Sequence, residues 1–469
     1  MVGPDFVAPP PPPTKSFLRG TLADPKGGQR FASGRDVSAT WWRSFRSREV
    51  VTLVDAAVSA NPNVEAALAA IRAARETALA ERGALFPQIG FGFAATRQRA
   101  AGGDLSSPLA NNGLTYGLIT PQLTASYTPD FFGGIARRIE SSEAQAEVQR
   151  FQYEAQVLTL TSGVVTAAIQ EASLRGQIEA TRRVIGLQKD HLRLTRKQLD
   201  LGQATGADVA QQEASVAGFE GSLPPLEKQL AQQRNLLTAL AGRFPADEIA
   251  QQFTLASFSL PASVPVSLPG DLVRQRPDVR AAEAALQAAS AEVGVATANR
   301  FPQITLSANA GLSATSVAAL GGPGAQFYSV GVGLLQPLFD GGTLLHRQKA
   351  AEATLDQANA QYRATVIAAF QNVADALRAL QADARAVRAS RASVEANARS
   401  VEITRTQLEG GATDNTALIL AQQLYLQALI ADVQAQANRL IDTAALFQAL
   451  GGGWWNRPPP AIGTGGTRL

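Results

Sequence analysis

The chain has no cysteine, one methionine and two histidines in 469 residues. Without cysteine there is no thiolate nucleophile and no thiolate metal site. The absence agrees with an oxidising, extracytoplasmic compartment. The two histidines, His191 and His346, sit far apart with no His-x-x-x-His spacing, so they read as packing or surface residues and no metal is expected. A lone Met1 argues against a thioether-lined copper route. An excess of one charge is also missing: 42 Lys+Arg face 39 Asp+Glu, which leaves no footprint for nucleic acid. No run approaches the ~18 to 20 consecutive apolar residues of a membrane-spanning helix. What remains is a soluble protein or a membrane protein of the β type. No signal-peptide pattern opens the chain; Met1-Val2-Gly3-Pro4-Asp5-Phe6 and the prolines at 9–13 read as a mature or trimmed start. Gly341-Gly342 is no phosphate loop, since no Lys-Ser/Thr follows at the required spacing. With no nucleophile–base constellation either, neither catalysis nor a cofactor is expected.

What is present is a duplication. Phe86-Pro87-Gln88-Ile89 returns as Phe301-Pro302-Gln303-Ile304, and Asn61-Pro62-Asn63-Val64 as Arg276-Pro277-Asp278-Val279, both offset by 215. Pro129-Asp130-Phe131-Phe132-Gly133-Gly134 answers Pro337-Leu338-Phe339-Asp340-Gly341-Gly342 at 208, and Gln198-Leu199-Asp200-Leu201-Gly202 answers Gln407-Leu408-Glu409-Gly410-Gly411 at 209. Ordered matches of this kind mean two copies of one supersecondary unit.

The predicted organisation follows. Residues 1–46, rich in Pro and Gly, form an extended strap. The first repeat covers 47–243. It holds a helix over 47–85 interrupted at Pro62 with Asn61 as N-cap, and a β-hairpin at about 88–128 with a polar tip at 102–113. A long helix follows, then a turn at 202–206 and a returning helix over 208–242 kinked by Pro224-Pro225. Residues 244–270 are a linker. The second repeat, 271–450, holds a helix over 271–300, a β-hairpin at about 303–337, a long helix over 343–408, a turn near 409–414 and a returning helix over 416–450. Residues 451–469 are a Gly/Pro-rich tail.

Both long helices carry coiled-coil seams in steps of three and four. The first runs 157, 160, 164, 167, 171, 174, 178, 181, 185, 188, 192, and the second 366, 370, 373, 377, 380, 384, 387, 391, 394, 398, 401. Glu171 and Arg391, the charged members, read as register or tunnel-lining groups. Helices of about 60 residues are roughly 90 Å long, too long for a compact domain. Four strands cannot close a barrel, and open edges are not tolerated in lipid, so several chains must complete it; three would give twelve strands. The fold class is mostly α with a small β part: duplicated long-helix hairpins plus four strands of a shared 12-stranded transmembrane barrel. Trp41-Trp42 and Trp454-Trp455 are expected to pack where the termini wrap the helices, a membrane-interface role being the alternative.

In this order, Gly3-Pro4-Asp5-Phe6, Trp41-Trp42-Arg43-Ser44-Phe45, both Phe-Pro-Gln-Ile elements, Pro337 to Gly342, Gly411-Ala412-Thr413-Asp414 and Ala449-Leu450-Gly451-Gly452-Gly453-Trp454 closely resemble the TolC-type outer-membrane efflux channels. The resemblance covers residues 1–456 and is to the lipid-anchored branch that serves RND pumps. It implies a homotrimer in the Gram-negative outer membrane with a helical tunnel in the periplasm. It further implies a periplasmic adaptor and an inner-membrane RND transporter as partners, and a lipidated Cys preceding Met1. The implied activity is passive export of drugs or other small toxic compounds.

By the same resemblance, Leu201, Gly202, Thr205, Gly410, Gly411 and Thr413 are adaptor-contact candidates at the two tips, or else plain helix caps. Relatives close the aperture with acidic and ionic locks in a Leu-Asp-Ala-Gln-Arg run. Here the run is Ile419-Leu420-Ala421-Gln422-Gln423, so Leu420 replaces the Asp and Gln423 the Arg. That lock cannot form. The gate candidates are therefore Thr416, Leu420 and Gln423, with Asp208 and Asp414 adding charge and Leu420 resisting wetting; alternatively Leu420 is a seam residue. Other readings are an ABC-type secretion duct and a soluble periplasmic coiled-coil scaffold.

Overall fold

The computed structural model describes residues 1–20, 23–25, 27–99 and 115–458. The expected hairpin tip at 102–113 and most of the tail lie outside them. In chain order the elements are β1 (Arg30–Ser33), α1 (Arg48–Ala60), α2 (Pro62–Arg82), β2 (Gln88–Arg99), β3 (Thr115–Tyr127), α3 (Gly134–Asp200), α4 (Gly206–Gly221), α5 (Leu223–Leu240), β4 (Ser263–Val266), α6 (Pro269–Gln275), α7 (Pro277–Ala298), β5 (Gln303–Leu312), β6 (Gln326–Leu335), α8 (Thr343–Glu409) and α9 (Asn415–Ala449).

Local chemistry explains the boundaries. Ser47 caps α1 by accepting from the Val50 amide, and Val50, Leu53, Val54 and Ala57 bury one face. Asn61 is extended, as a residue before proline must be. Its Oδ1 accepts from the Asn63 amide at 2.9 Å and so caps α2. The second repeat breaks alike at Arg276-Pro277, so the predicted helix over 271–300 is two helices, α6 and α7. The predicted kink at Pro224-Pro225 is likewise a full break. Pro224 lies in the first turn of α5, where its missing N–H costs no hydrogen bond, and α4 ends at Gly221.

The chain forms two compact units, each assembled from both repeats: Met1–Ala8, Ile71–Gln149 and Ala282–Tyr362 make one, and the remaining segments the other. The first holds a four-stranded antiparallel meander, β2-β3-β5-β6. Its edges, β2 and β6, have no partner strand among the described residues. Met1–Ala8 dock in this unit. The Val2 amide donates to the Phe132 carbonyl at 3.1 Å, and buried Arg137 pairs with Asp5 and with Glu140.

The second unit holds the helical hairpins and most of the strap. The strap and linker are not wholly irregular: β1 pairs in parallel with β4, Phe31 opposite Val264. Trp41 is buried and stacks on Phe447 at 5.3 Å, while Trp454 donates its indole N–H to the Gln275 carbonyl at 2.7 Å. The tryptophans are packing residues of this belt. The α3 seam is buried at every position up to Gln188. Glu171, fully buried on it, is held by Arg175 at 2.7 Å and Arg234 at 2.9 Å. Two helices, α3 and α9, contain stretches apolar enough by composition to cross a membrane; the α3 stretch is 72% buried and the α9 stretch 33%. Interspersed polar residues hide both from a search for unbroken apolar runs. The burial of the α3 stretch makes it core.

Candidate functional site

Two regions carry the functional geometry, one in each unit. The first is the sheet. Directly paired residues of an antiparallel sheet share a face, so the register sorts the side chains. One face carries Ile89, Phe91 and Phe93 of β2, Leu123 and Ala125 of β3, Leu306 and Ala308 of β5, and Tyr328, Val330, Val332 and Leu334 of β6. The opposite face carries Gln88, Ala94, Thr96 and Gln98, then Tyr116, Leu118, Thr120, Gln122, Thr124 and Ser126, then Gln303, Thr305, Ser307 and Asn309, then Phe327, Ser329, Leu335 and glycines. The apolar face is bare: Phe91 is 71% exposed, Val330 79% and Val332 72%. A face so apolar and so exposed needs a non-aqueous neighbour.

The sequence shows this face weakly. Glycines at 90, 92, 331 and 333 take the alternate positions, so Val330, Val332 and Leu334 read as an apolar cluster rather than as alternation.

The second region is the pair of helical tips. Each long helix ends in the same motif. Gly202 has φ of +74° and donates to the Leu199 carbonyl at 2.9 Å, while the Gln203 amide donates to the Gln198 carbonyl at 2.7 Å. Gly411, φ +71°, donates to Leu408 at 3.0 Å, and Ala412 to Gln407 at 2.8 Å. Glycine supplies the left-handed backbone that both turns need. Leu201 and Gly410 precede these glycines and are exposed; Thr413 is half-buried.

The acidic candidates turn out to be caps. The Asp208 carboxylate accepts from the Thr205 hydroxyl at 2.7 Å and the Thr205 amide at 2.8 Å, while the Thr205 hydroxyl oxygen accepts from the Asp208 amide. These bonds, the hydroxyl first, hold the Asp208 carboxyl below the usual carboxylate range. Asp414 caps α9, accepting from the Ala417 amide at 2.9 Å. Thr416, Leu420 and Gln423 share one exposed face of α9. Gln211 on α4 donates to the Thr416 hydroxyl at 3.1 Å, and His191 on α3 bonds Asn415 at 3.1 Å. Burial holds the His191 ring below its ordinary pKa, against the Asn415 bond, so it packs as neutral imidazole.

A site that sequence spacing could not reveal lies between α8 and α9. Burial, then a side-chain hydrogen bond with Asp442 and the Asp442 charge, push the Asp383 carboxyl up to about 7 against the pull of Arg439. Arg439 is occupied elsewhere: it donates to Gln29 at 2.9 Å and to the Gly27 carbonyl at 3.0 Å, tying the strap to α9. Among the described residues no cluster of His, Asp or Glu is suited to a metal ion.

The model of the family described as outer membrane efflux protein matches residues 53–243 and 268–452. The chain belongs to this family. It is 31% identical over 467 residues to the toluene efflux pump outer membrane protein TtgF of Pseudomonas putida, spanning 97% of this chain and 94% of the relative. It is 29% identical over 450 residues to the pyoverdine export outer membrane protein OpmQ of Pseudomonas putida, spanning 95% and 94%. Its backbone matches the outer-membrane channel OprN with a TM-score of 0.88 at 26% identity, over 97% of this chain and 99% of that one. The chain is thus an outer-membrane efflux protein with a mostly helical fold and a small β part, of a family of channels rather than enzymes.

Proposed function

We propose that the chain is the passive exit duct of a tripartite pump, conducting small toxic compounds delivered by an inner-membrane transporter and a periplasmic adaptor. The observation that carries this reading is the sheet: one bare apolar face, one largely polar face, four strands, and two edges with no partner strand among the described residues. Lipid does not tolerate such edges, so three copies pairing β6 of one with β2 of the next would close twelve strands, apolar side outward. The names of TtgF and OpmQ agree with export through such a duct. Energy comes from the pump.

At the tips, the turns around Gly202 and Gly411 form the adaptor contact, with Leu201, Thr205, Gly410 and Thr413 beside them. With Asp208 and Asp414 engaged as caps, closure rests on packing of Thr416, Leu420 and Gln423. The docked N-terminal segment beside Phe132, at the foot of the sheet, favours a lipid anchor just ahead of Met1.

Electron microscopy of detergent-purified protein tests the assembly. A threefold particle with a central channel and a detergent belt at its β end is expected; a detergent-independent monomer overturns the reading. Leu420→Ser is expected to raise single-channel conductance in planar bilayers, and an unchanged conductance removes the gate assignment.

A further inference from the structure

The four strands of the sheet contain two charged side chains among their described residues, Arg97 and Arg99. Both lie at the far end of β2, and their partners Gly117 and Thr115 place them on the apolar face. The polar face has no Asp, Glu, Lys, Arg or His on any described position. Its middle is built mainly from amides and hydroxyls: Thr124 lies opposite Asn309, Ser126 opposite Ser307 and Gln122 opposite Gly311. Some of these groups are turned to each other: Ser329 donates to the Asn309 side-chain oxygen at 3.0 Å.

Between them lie glycines. Gly90, Gly92, Gly311, Gly331 and Gly333 also fall on this face. Where glycine faces the bore, no side chain narrows it. Among the described residues the face therefore carries no fixed charge, and its large members, Tyr116, Leu118, Phe327 and Leu335, lie toward the ends of the strands.

Charge selection in a water-filled passage needs fixed charge on its wall. A passage lined by one sign raises the local concentration of the opposite ion by roughly tenfold or more. Neutral amides and hydroxyls offer hydrogen bonds to either sign and favour neither.

We propose that the membrane segment of this duct is a charge-neutral passage, admitting anionic and cationic organic solutes alike. Gln122, Thr124, Ser307 and Asn309 are the positions at which a single charge would make it selective. This rests on the duct reading above, in which the polar face lines the bore. Discrimination between solutes then belongs to other parts of the chain or to its partners.

The absence of cysteine makes a clean test available, because every introduced thiol is the only one. Gln122→Cys and Asn309→Cys probe the polar face, and Phe91→Cys and Val330→Cys the apolar face. Each full-length protein, reconstituted in liposomes, is reacted with a cationic trimethylammonium methanethiosulfonate and with its anionic sulfonate counterpart. Rates are normalised to those with a small free thiol.

The polar-face thiols are expected to react with both reagents at comparable normalised rates. Adding Thr124→Asp to Gln122→Cys is expected to shift the ratio severalfold toward the cation. A cation-to-anion ratio above about tenfold, or below about a tenth, without that added charge overturns the proposal. So does a ratio that Thr124→Asp leaves unmoved. The underlying reading fails separately, and visibly, if Phe91→Cys and Val330→Cys react as fast as the polar-face thiols.

Discussion

The two long helices, α3 and α8, are equal in length, 67 residues each, yet one chain buries them differently. The seam of α3 stays buried from Val157 to Gln188. That of α8 is buried at Val366 and from Val373 to Val387, then opens: Arg391 is exposed, and Val394, Ala398 and Val401 are half-buried. Ile403 on the same helix is 58% exposed. Both seams are equally regular in sequence, so the difference lies in what surrounds them. Near the tip α3 has α4 and α9 against it, with Val184, Ile185, Phe219 and Leu426 forming a small core. The distal part of α8 has an apolar seam with less of this chain upon it, the surface that the proposed assembly of several copies would cover.

The sharpest way to break this comparison uses the two charged seam residues. Glu171→Ala strands Arg234 and Arg175 without their buried partner, and a loss of about 3 to 5 kcal/mol is expected. Arg391→Ala, exposed, should stay within about 0.5 kcal/mol. Thermal denaturation of the two purified variants checks the contrast, and equal losses would sink it. Next come truncations within α8. Leu380→Ala, at a fully buried position, should cost about 2 to 5 kcal/mol whatever the oligomeric state. Val394→Ala should cost much less in a dissociated chain than in the assembled protein, measured by denaturation across a concentration series.

The tips offer the opposite test, because there the two repeats are alike. Gly202→Ala and Gly411→Ala each force a Cβ into the left-handed region at about 1 to 2 kcal/mol. Equal losses in melting temperature are expected; a large inequality would mean the two turns are not equivalent.

The smallest effect concerns Asp383. The folded protein keeps the Asp383 proton up to about pH 7, whereas the unfolded carboxyl releases it near its ordinary value of 3.8. Between those values the folded state binds the extra proton, so stability falls as pH rises toward 7 and is level above it. After allowance for partial exposure and screening the effect is on the order of 1 kcal/mol. Asp383→Asn should remove this slope between pH 5 and 8, as read from melting temperatures.

Much of the architecture was legible because it is written in local chemistry. Asn61-Pro62, the tip glycines and the three-and-four spacing of the seams each leave a mark on neighbouring residues. The helix breaks at Ser222 and Arg276 are less legible, since proline within a helix and proline opening the next one differ only in where the preceding helix stops. The β1–β4 pairing and the Asp383–Asp442 pair join residues far apart in the chain, and no spacing pattern announces them. Asp208 was legible as an acid in the right place for a gate, yet Thr205 three residues earlier already carried the capping-box signal.

The parallel pairing of Arg30–Ser33 with Ser263–Val266 also sets an order of events. The strap cannot be stitched down until the entire first repeat has been made and delivered, because its partner strand comes after that repeat. Closing so long a loop is entropically slow to begin and gains only four residue pairs when done. The segment around Arg30–Ser33 therefore stays unpaired until the first repeat is complete, although Met1–Ala8 can dock earlier on Phe132 and Arg137.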